Sequence, residues 1–278
     1  MTAIKKHYLI NQKHKGSQMK KNLQIISVLL LVVLGFAVSF AQSVDELLKE
    51  GDQYVVEFNH QKALDAYLKA DKLSPDNWDI LWRISRAYVD LGEKMPDKTD
   101  EQKADQEKIY NKALEYADRS VKHGSNQSIT YVRRAIANGR IALFEGIFSA
   151  IGTVNDVKDD CEKAIQLGNG GNYVQALAHY VLGRGHLKVC EKAYLVRLPL
   201  GLGWGDTEEA VRLLETAVKL KPNFRMFLFE LSKAYIEEDE YDKAKETLKK
   251  VEKAPFVDED DDKVLADAKK LYEEIKNE

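Results

Sequence analysis

Proline is scarce in this chain, five in 278 residues, and cysteine scarcer still, with two. So few prolines leave long stretches uninterrupted. The two cysteines, Cys161 and Cys190, can form at most one disulfide, and an oxidising compartment would permit it; the sequence leaves that pair and two buried thiols as alternatives. There is no surplus of basic residues, 42 against 45 acids, which argues against nucleic acid and against a generally anionic membrane surface as partner. No stretch shows a competing strand pattern. No serine or cysteine sits in a recognisable nucleophile motif, and Gly201, Gly203 and Gly205 lack the Lys-Ser/Thr and the preceding strand of a phosphate loop. The sequence therefore points to no enzyme and to no cofactor.

What the chain does have is a repeat. Its composition, 44% hydrophobic and 31% charged, suits an ordinary helical protein with a substantial core. Within residues 45–91, Leu47, Gly51, Tyr54, Ala63, Tyr67, Ala70 and Pro75 fall at the spacing of the 34-residue helix-turn-helix pattern of the tetratricopeptide repeat (TPR). Gly51, Ala63 and Ala70 let two helices approach, the tyrosines fill the remaining space, and Pro75 stops the second helix.

The pattern recurs. The second unit has Leu81, Ser85 and Tyr88, with its second helix delayed to Ala113, Ala117 and Ser120 by an insertion in which Asp97 to Lys108 is part loop and part early helix. The third uses Tyr131, Ala135 and Asn138, then Val157, Cys161 and Ala164 before a turn at Gly168-Asn169-Gly170-Gly171. The fourth carries His179, Gly183 and His186 and, after an excess containing LVRLPLGLGWGD, resumes at Ala210, Leu214 and Ala217. The fifth runs through Leu228, Ser232, Tyr235, Ala244, Leu248 and Val251. A last polar helix, Lys263 to Lys276, capped by Asp258 to Asp262, covers the end face. The expected class is all-α, a TPR-like α-solenoid of about five units with a C-terminal capping helix.

Residues 1–41 read as an N-terminal extension and signal peptide, and 42–278 as the helical domain. Lys20 and Lys21 form a positive end, Ile25 to Phe40 an apolar run, and Ser39-Phe40-Ala41 a small-x-small cleavage site, which predicts cleavage after Ala41 and a periplasmic or secreted chain. Met19 is the expected initiator. Retention of the apolar run as an anchor is the alternative, and the run is shorter than the roughly 20 residues that span a bilayer. Cleavage would remove six lysines and no acid, moving the net charge from −3 to −9.

Leu81-Trp82-Arg83 with Arg86-Ala87, Leu182-Gly183-Arg184, the loop before Glu208-Glu209-Ala210 and the closing repeat with its acidic turn resemble the TPR-like regulator of microtubule dynamics family over most of residues 45–275. The resemblance implies a TPR fold; eukaryotic members are associated with microtubules or membrane contact sites, and one branch with lipid binding in the TPR domain. The export signal makes this chain look like a bacterial exported relative.

In such a fold the first helix of each pair lines the groove. Trp82 and Arg86, Tyr180 and Arg184, and Phe229 and Lys233 each set an aromatic four residues before a cation, and Val132, Ile136 and Arg140 occupy the matching face of the third unit. An apolar groove with four cations suits a ligand with an apolar body and an anionic group, a peptide carboxylate or a lipid headgroup. Alternatively, the aromatics are core and the cations pair with neighbouring acids.

The leading function is a non-catalytic exported scaffold binding a protein or peptide; the alternative is a carrier of a lipid or other amphipathic anion. The apolar stretches Phe144 to Ile151 and Leu198 to Trp204 read either as a lid or membrane-touching edge, or as packing within their own repeats. His179, His186 and Cys190 share a helical face, but the histidines occupy large-residue packing positions, and no metal is expected.

Overall fold

The computed structural model describes residues 43–278, among which there is helix, turn and loop but no strand. The signal segment and the extension before it lie outside the described residues. Helix α1 (Val44–Val56) pairs with α2 (His60–Leu73), α3 (Trp78–Glu93) with α4 (Asp100–His123), and α5 (Ser128–Glu145) with α6 (Ile151–Leu167). A single turn, α8 (Tyr194–Arg197), and a 3-10 turn (Leu198–Leu200) separate α7 (Gly171–Cys190) from its partner α9 (Thr207–Leu220). The fifth pair is α10 (Arg225–Glu237) with α11 (Tyr241–Lys253), and α12 (Asp261–Ile275) ends the array. Five pairs and a terminal helix make the fold an all-α, TPR-like solenoid.

The repeat residues set the spacing within pairs. A Cβ on Gly51 would stand 2.3 Å from Cε1 of Tyr67, a fully buried ring whose hydroxyl donates to Asp52 at 2.6 Å. Only glycine permits that approach. Helix starts are fixed locally by side chains that accept orphan N–H groups: Asn77 from Asp79 (3.0 Å), Asp206 from Glu209 (2.8 Å), and Thr99 with Gln102 in a reciprocal capping box. The insertion in the second unit becomes the early start of α4, pinned back where the buried Gln106 amide donates to the Gly92 carbonyl at 2.8 Å.

From α2 onward consecutive long helices pack side by side, and the first helices also pack on one another, α3 on α5, α5 on α7 and α7 on α10. They form one wall, and their second helices back it. Of the two apolar stretches left ambiguous by the sequence, the inner side chains pack together: Ala150, Val154, Val189 and Leu202 form a small core flanked by Ile147, Phe148 and Trp204. Cys161 and Cys190 are both free thiols.

The acidic turn before α12 departs from expectation. The helix begins at Asp261, and its cap residue Asp260 makes no side-chain cap bond. The Asp261 carboxylate instead accepts from the Val257 and Asp258 amides (2.7 and 2.9 Å), and the buried Arg225 donates to the Ala254 carbonyl from Nη2 (2.7 Å) and Nε (3.1 Å). These bonds fix residues 254–261 as a shaped turn, and Asp260 is freed to reach elsewhere.

Candidate functional site

The faces of α3, α5 and α7 line a cavity of about 720 Å³, within the range of small-molecule sites. Aromatic rings build one side. Tyr180 stacks on Phe227 with centroids 4.7 Å apart, Phe227 lies 4.6 Å from Phe224, and Phe224 meets Tyr173 edge-on at 6.5 Å. Burial pushes the Tyr180 hydroxyl up to about 12, so it stays a neutral hydrogen-bonding group. Val89, Ile136, Leu177 and Val181 continue the apolar lining.

The shaped turn before α12 extends the lining, since Pro255 and residues 257–260 also line the cavity. It is held to the first two pairs. Phe256 packs edge-on against Phe58 (6.3 Å), Glu259 lies 2.7 Å from His60 Nε2, and Lys94 donates to Asp260 at 2.8 Å.

Seven basic side chains line the cavity against five acidic ones, so its charge is positive in a net acidic chain. The arginines are not equivalent. Arg86 has Asp90 at 3.4 Å, Arg140 pairs with Glu93, and Arg184 has Glu230 at 3.7 Å. Burial works hardest against the Arg86 charge, but Asp90 together with Tyr173, Tyr67 and Asp52 outweighs it and leaves the guanidinium's pKa raised. Arg184 is raised too, chiefly by the Tyr180 beside it. Burial pushes the Glu93 carboxyl up, with Arg140 opposing. Arg133 differs from all of these. It is 7% exposed and no carboxylate within 4.0 Å pairs with it among the described residues, and its Nε, like that of Arg184, makes no hydrogen bond. Burial, reinforced by the like charge of Arg86, pulls its pKa down. Its guanidinium carbon sits 5.5 Å from the Trp82 ring.

Of the residues expected to face the groove, Arg86, Ile136, Arg140, Tyr180 and Arg184 line the cavity, and Trp82, Val132, Phe229 and Lys233 do not. Val132 is fully buried in the core; on α5 the cavity-facing row is Arg133, Ile136 and Arg140, one position on from the expected start. Trp82 stands behind that row, its indole N–H donating to Asp79 at 2.9 Å. On α10 the cavity side is taken by Met226 and Phe227, which turns Phe229 away against the core. Lys233 lies over the Phe229 ring at 5.0 Å and pairs with Glu230 at 2.7 Å, so its charge is spent locally.

Sequence reasoning missed Arg133, Tyr173, Phe224 and the closing turn. The i, i+3, i+7 spacing of Arg133, Ile136 and Arg140 was the available signal for the first. Of the metal candidates, His179 Nδ1 lies 2.8 Å from the Gln175 carbonyl, and His186 is buried edge-on against Trp204. Among the described residues no cluster of metal-ligating side chains forms.

Comparisons with known proteins agree with this architecture. A thermophilic TPR protein of Thermus thermophilus superposes with a TM-score of 0.58 at 19% identity, covering 81% of this chain and 98% of its own; at that identity the likeness speaks for the fold alone. Regulator of microtubule dynamics protein 1 of Bos taurus is 27% identical over 89% of this chain and 76% of its own length. Regulator of microtubule dynamics protein 3 of Rattus norvegicus is 25% identical over 83% of this chain, which spans only 47% of that relative. The family model for Regulator of microtubule dynamics protein 1-3 matches residues 41–276, nearly the whole helical array and all of the cavity lining, and the chain belongs to that family.

Proposed function

We propose that the cavity holds an amphipathic anion, its apolar body along the aromatic and aliphatic lining and its charged group against Arg133 and Arg86. The supporting observation is Arg133, a buried guanidinium facing the cavity without a carboxylate. A buried charge without an ion-pair partner costs several kcal/mol, which Tyr173 and the more distant Asp90 offset only in part, and an anionic ligand within reach of both arginines would offset the remainder with charge-assisted hydrogen bonds. The length of the apolar lining favours a lipid-like molecule over a small free anion. The reaction class is binding without catalysis: the fold class generally carries none, and burial holds the Cys161 thiol well above its usual range, a poor nucleophile.

A protein or peptide partner is the second reading. It is supported by the fold, and a C-terminal carboxylate would use the same arginines. One experiment separates the two: solvent extraction and mass spectrometry of the purified protein. A co-purifying acidic lipid, lost by about tenfold or more in a folded Arg133→Met variant, supports the carrier; an extract empty of lipid, with Arg133-dependent capture of peptides, supports the scaffold. Export to a periplasmic or extracellular space is proposed from the sequence alone, and an intact mass beginning at Gln42 in an envelope fraction is its expected signature.

A further inference from the structure

The segment joining α7 to α9 splits its side chains into two sets. Leu202 and Arg197 are buried. The Arg197 guanidinium donates through Nη1 to the carbonyls of Gly205 (2.6 Å) and Leu202 (3.2 Å), and the Leu202 amide returns to the Arg197 carbonyl at 3.1 Å. This arginine ties the loop into a fixed shape. The shape turns five large apolar side chains outward within seven residues: Tyr194 is 51% exposed, Leu195 83%, Val196 53%, Leu198 48% and Leu200 36%. Single exposed apolar residues are ordinary, but a contiguous set on a built loop marks a contact surface.

We infer that this loop is a docking element for an anionic membrane surface. Charge favours a bilayer over a protein partner of average surface. From Lys192 to Gly205 the segment carries no acid, and of its two bases Lys192 is exposed while Arg197 is held by the loop's own carbonyls; this acid-free patch is a local exception in a chain whose net acidic charge otherwise argues against an anionic surface. Its form agrees. Leu195 protrudes, Tyr194 brings an aromatic ring with a polar tip of the kind found at the membrane–water interface, and apolar side chains beside one exposed base, Lys192, suit shallow insertion with electrostatic attraction to anionic lipids. Such docking is peripheral; among the described residues no helix is long and apolar enough to cross a membrane.

The loop also adjoins the cavity. Trp204, at its base, lines the cavity together with Lys188 and Val189 of α7, and its indole N–H donates to Asn155 at 2.8 Å. Docking would bring the cavity rim to the surface from which an amphipathic ligand is drawn. That purpose rests on the proposed occupant, whereas the docking itself does not.

The test is hydrogen–deuterium exchange on the full chain, with and without phosphatidylcholine vesicles containing phosphatidylglycerol. The apolar run Ile25 to Phe40 on the same chain could hold the protein on vesicles by itself, so the readout is local to the loop. Amides of residues 194–200 are expected to exchange about tenfold more slowly with anionic vesicles, less so with phosphatidylcholine alone. The protection should vanish in Leu195→Asp/Val196→Asp, whose exposed positions leave folding intact, and persist in Leu73→Asp, an exposed leucine on α2. Unchanged exchange at residues 194–200, or equal protection in the double variant, would overturn the inference. So would protection that grows with protein concentration without vesicles, which would mark a contact between copies. An unprotected loop in a protein that still co-purifies with lipid rejects the docking surface and leaves the cavity reading intact; a protected loop on a chain empty of lipid does the reverse.

Discussion

His60 Nε2 lies 2.7 Å from a Glu259 carboxylate oxygen although 199 residues separate them. A repeat array normally contacts only its neighbours, and this contact carries the last turn back to the first pair. Lys94 adds Asp260 at 2.8 Å and Glu259 at 3.4 Å, and Phe58 with Phe256 adds an apolar contact. The polar chain continues inward: His60 Nδ1 is 3.8 Å from Asp90, the partner of Arg86. The clasp thus lies next to the acid that pairs with one of the arginines lining the cavity.

Loosening that clasp is expected to change exchange more than stability. Phe256 is 52% exposed and the Lys94–Asp260 pair is well solvated, so Phe256→Ala with Asp260→Asn should cost only about 1 kcal/mol. The turn that supplies part of the cavity wall, however, would be less firmly held. Release of a fluorescent fatty acid measured by stopped flow should accelerate several-fold; an unchanged release rate would show that ligand leaves by another route.

The paired helices were legible in the sequence because each pair depends on local spacing, as in Gly51 against Tyr67. The cavity was legible in part. Repeat positions identify which face of a first helix packs, and by elimination which face is open, but adjacent residues on a helix differ by 100°, so an error of one position exchanges Val132 for Arg133. On α10 the same reasoning failed for Phe229 and Lys233, because Phe227, not Phe229, joins the Tyr180 stack. The clasp left no local trace. Phe58, His60, Lys94 and residues 256–260 are unremarkable within their own repeats, and only the accumulated packing of the intervening helices brings them together.

Stability should fall on the mildly acidic side through His186. Burial lowers its pKa from 6.5 despite the opposing influence of Glu209 and Asp206, and Lys158 adds to the lowering. Below pH 6.5 the unfolded chain takes up a proton that the folded site refuses, so stability declines as pH drops from 6.5 toward the folded value. The raised carboxyls of Glu93, Asp160 and Asp258 act in the opposite sense, at lower pH. Urea midpoints at pH 7.5 and 5.5 should therefore differ less in His186→Phe, which keeps an aromatic ring against Trp204, than in the wild type. An identical difference in both proteins would remove His186 as the cause.

Arg133 and Arg134 are neighbours in sequence and should respond in opposite ways to loss of charge. Arg134 holds Asp160 through two bonds, Nε at 2.8 Å and Nη2 at 2.7 Å, and Asp160 is buried. Arg134→Met leaves that carboxylate without its partner; because Arg134 itself is partly exposed, the expected loss is about 2–4 kcal/mol, discounted from the about 3–5 kcal/mol for breaking a fully buried pair. Arg133 has no such partner. Arg133→Met removes a desolvated charge and keeps an apolar chain near the Trp82 ring, so the ligand-free protein should gain about 1–3 kcal/mol. The two effects are read from denaturant midpoints of delipidated protein. Stabilisation by Arg133→Met together with loss of bound amphiphile would mark this arginine as a residue retained for binding at the expense of the fold, whereas destabilisation comparable to Arg134→Met would make it a structural residue and take away the main support for an anion in the cavity.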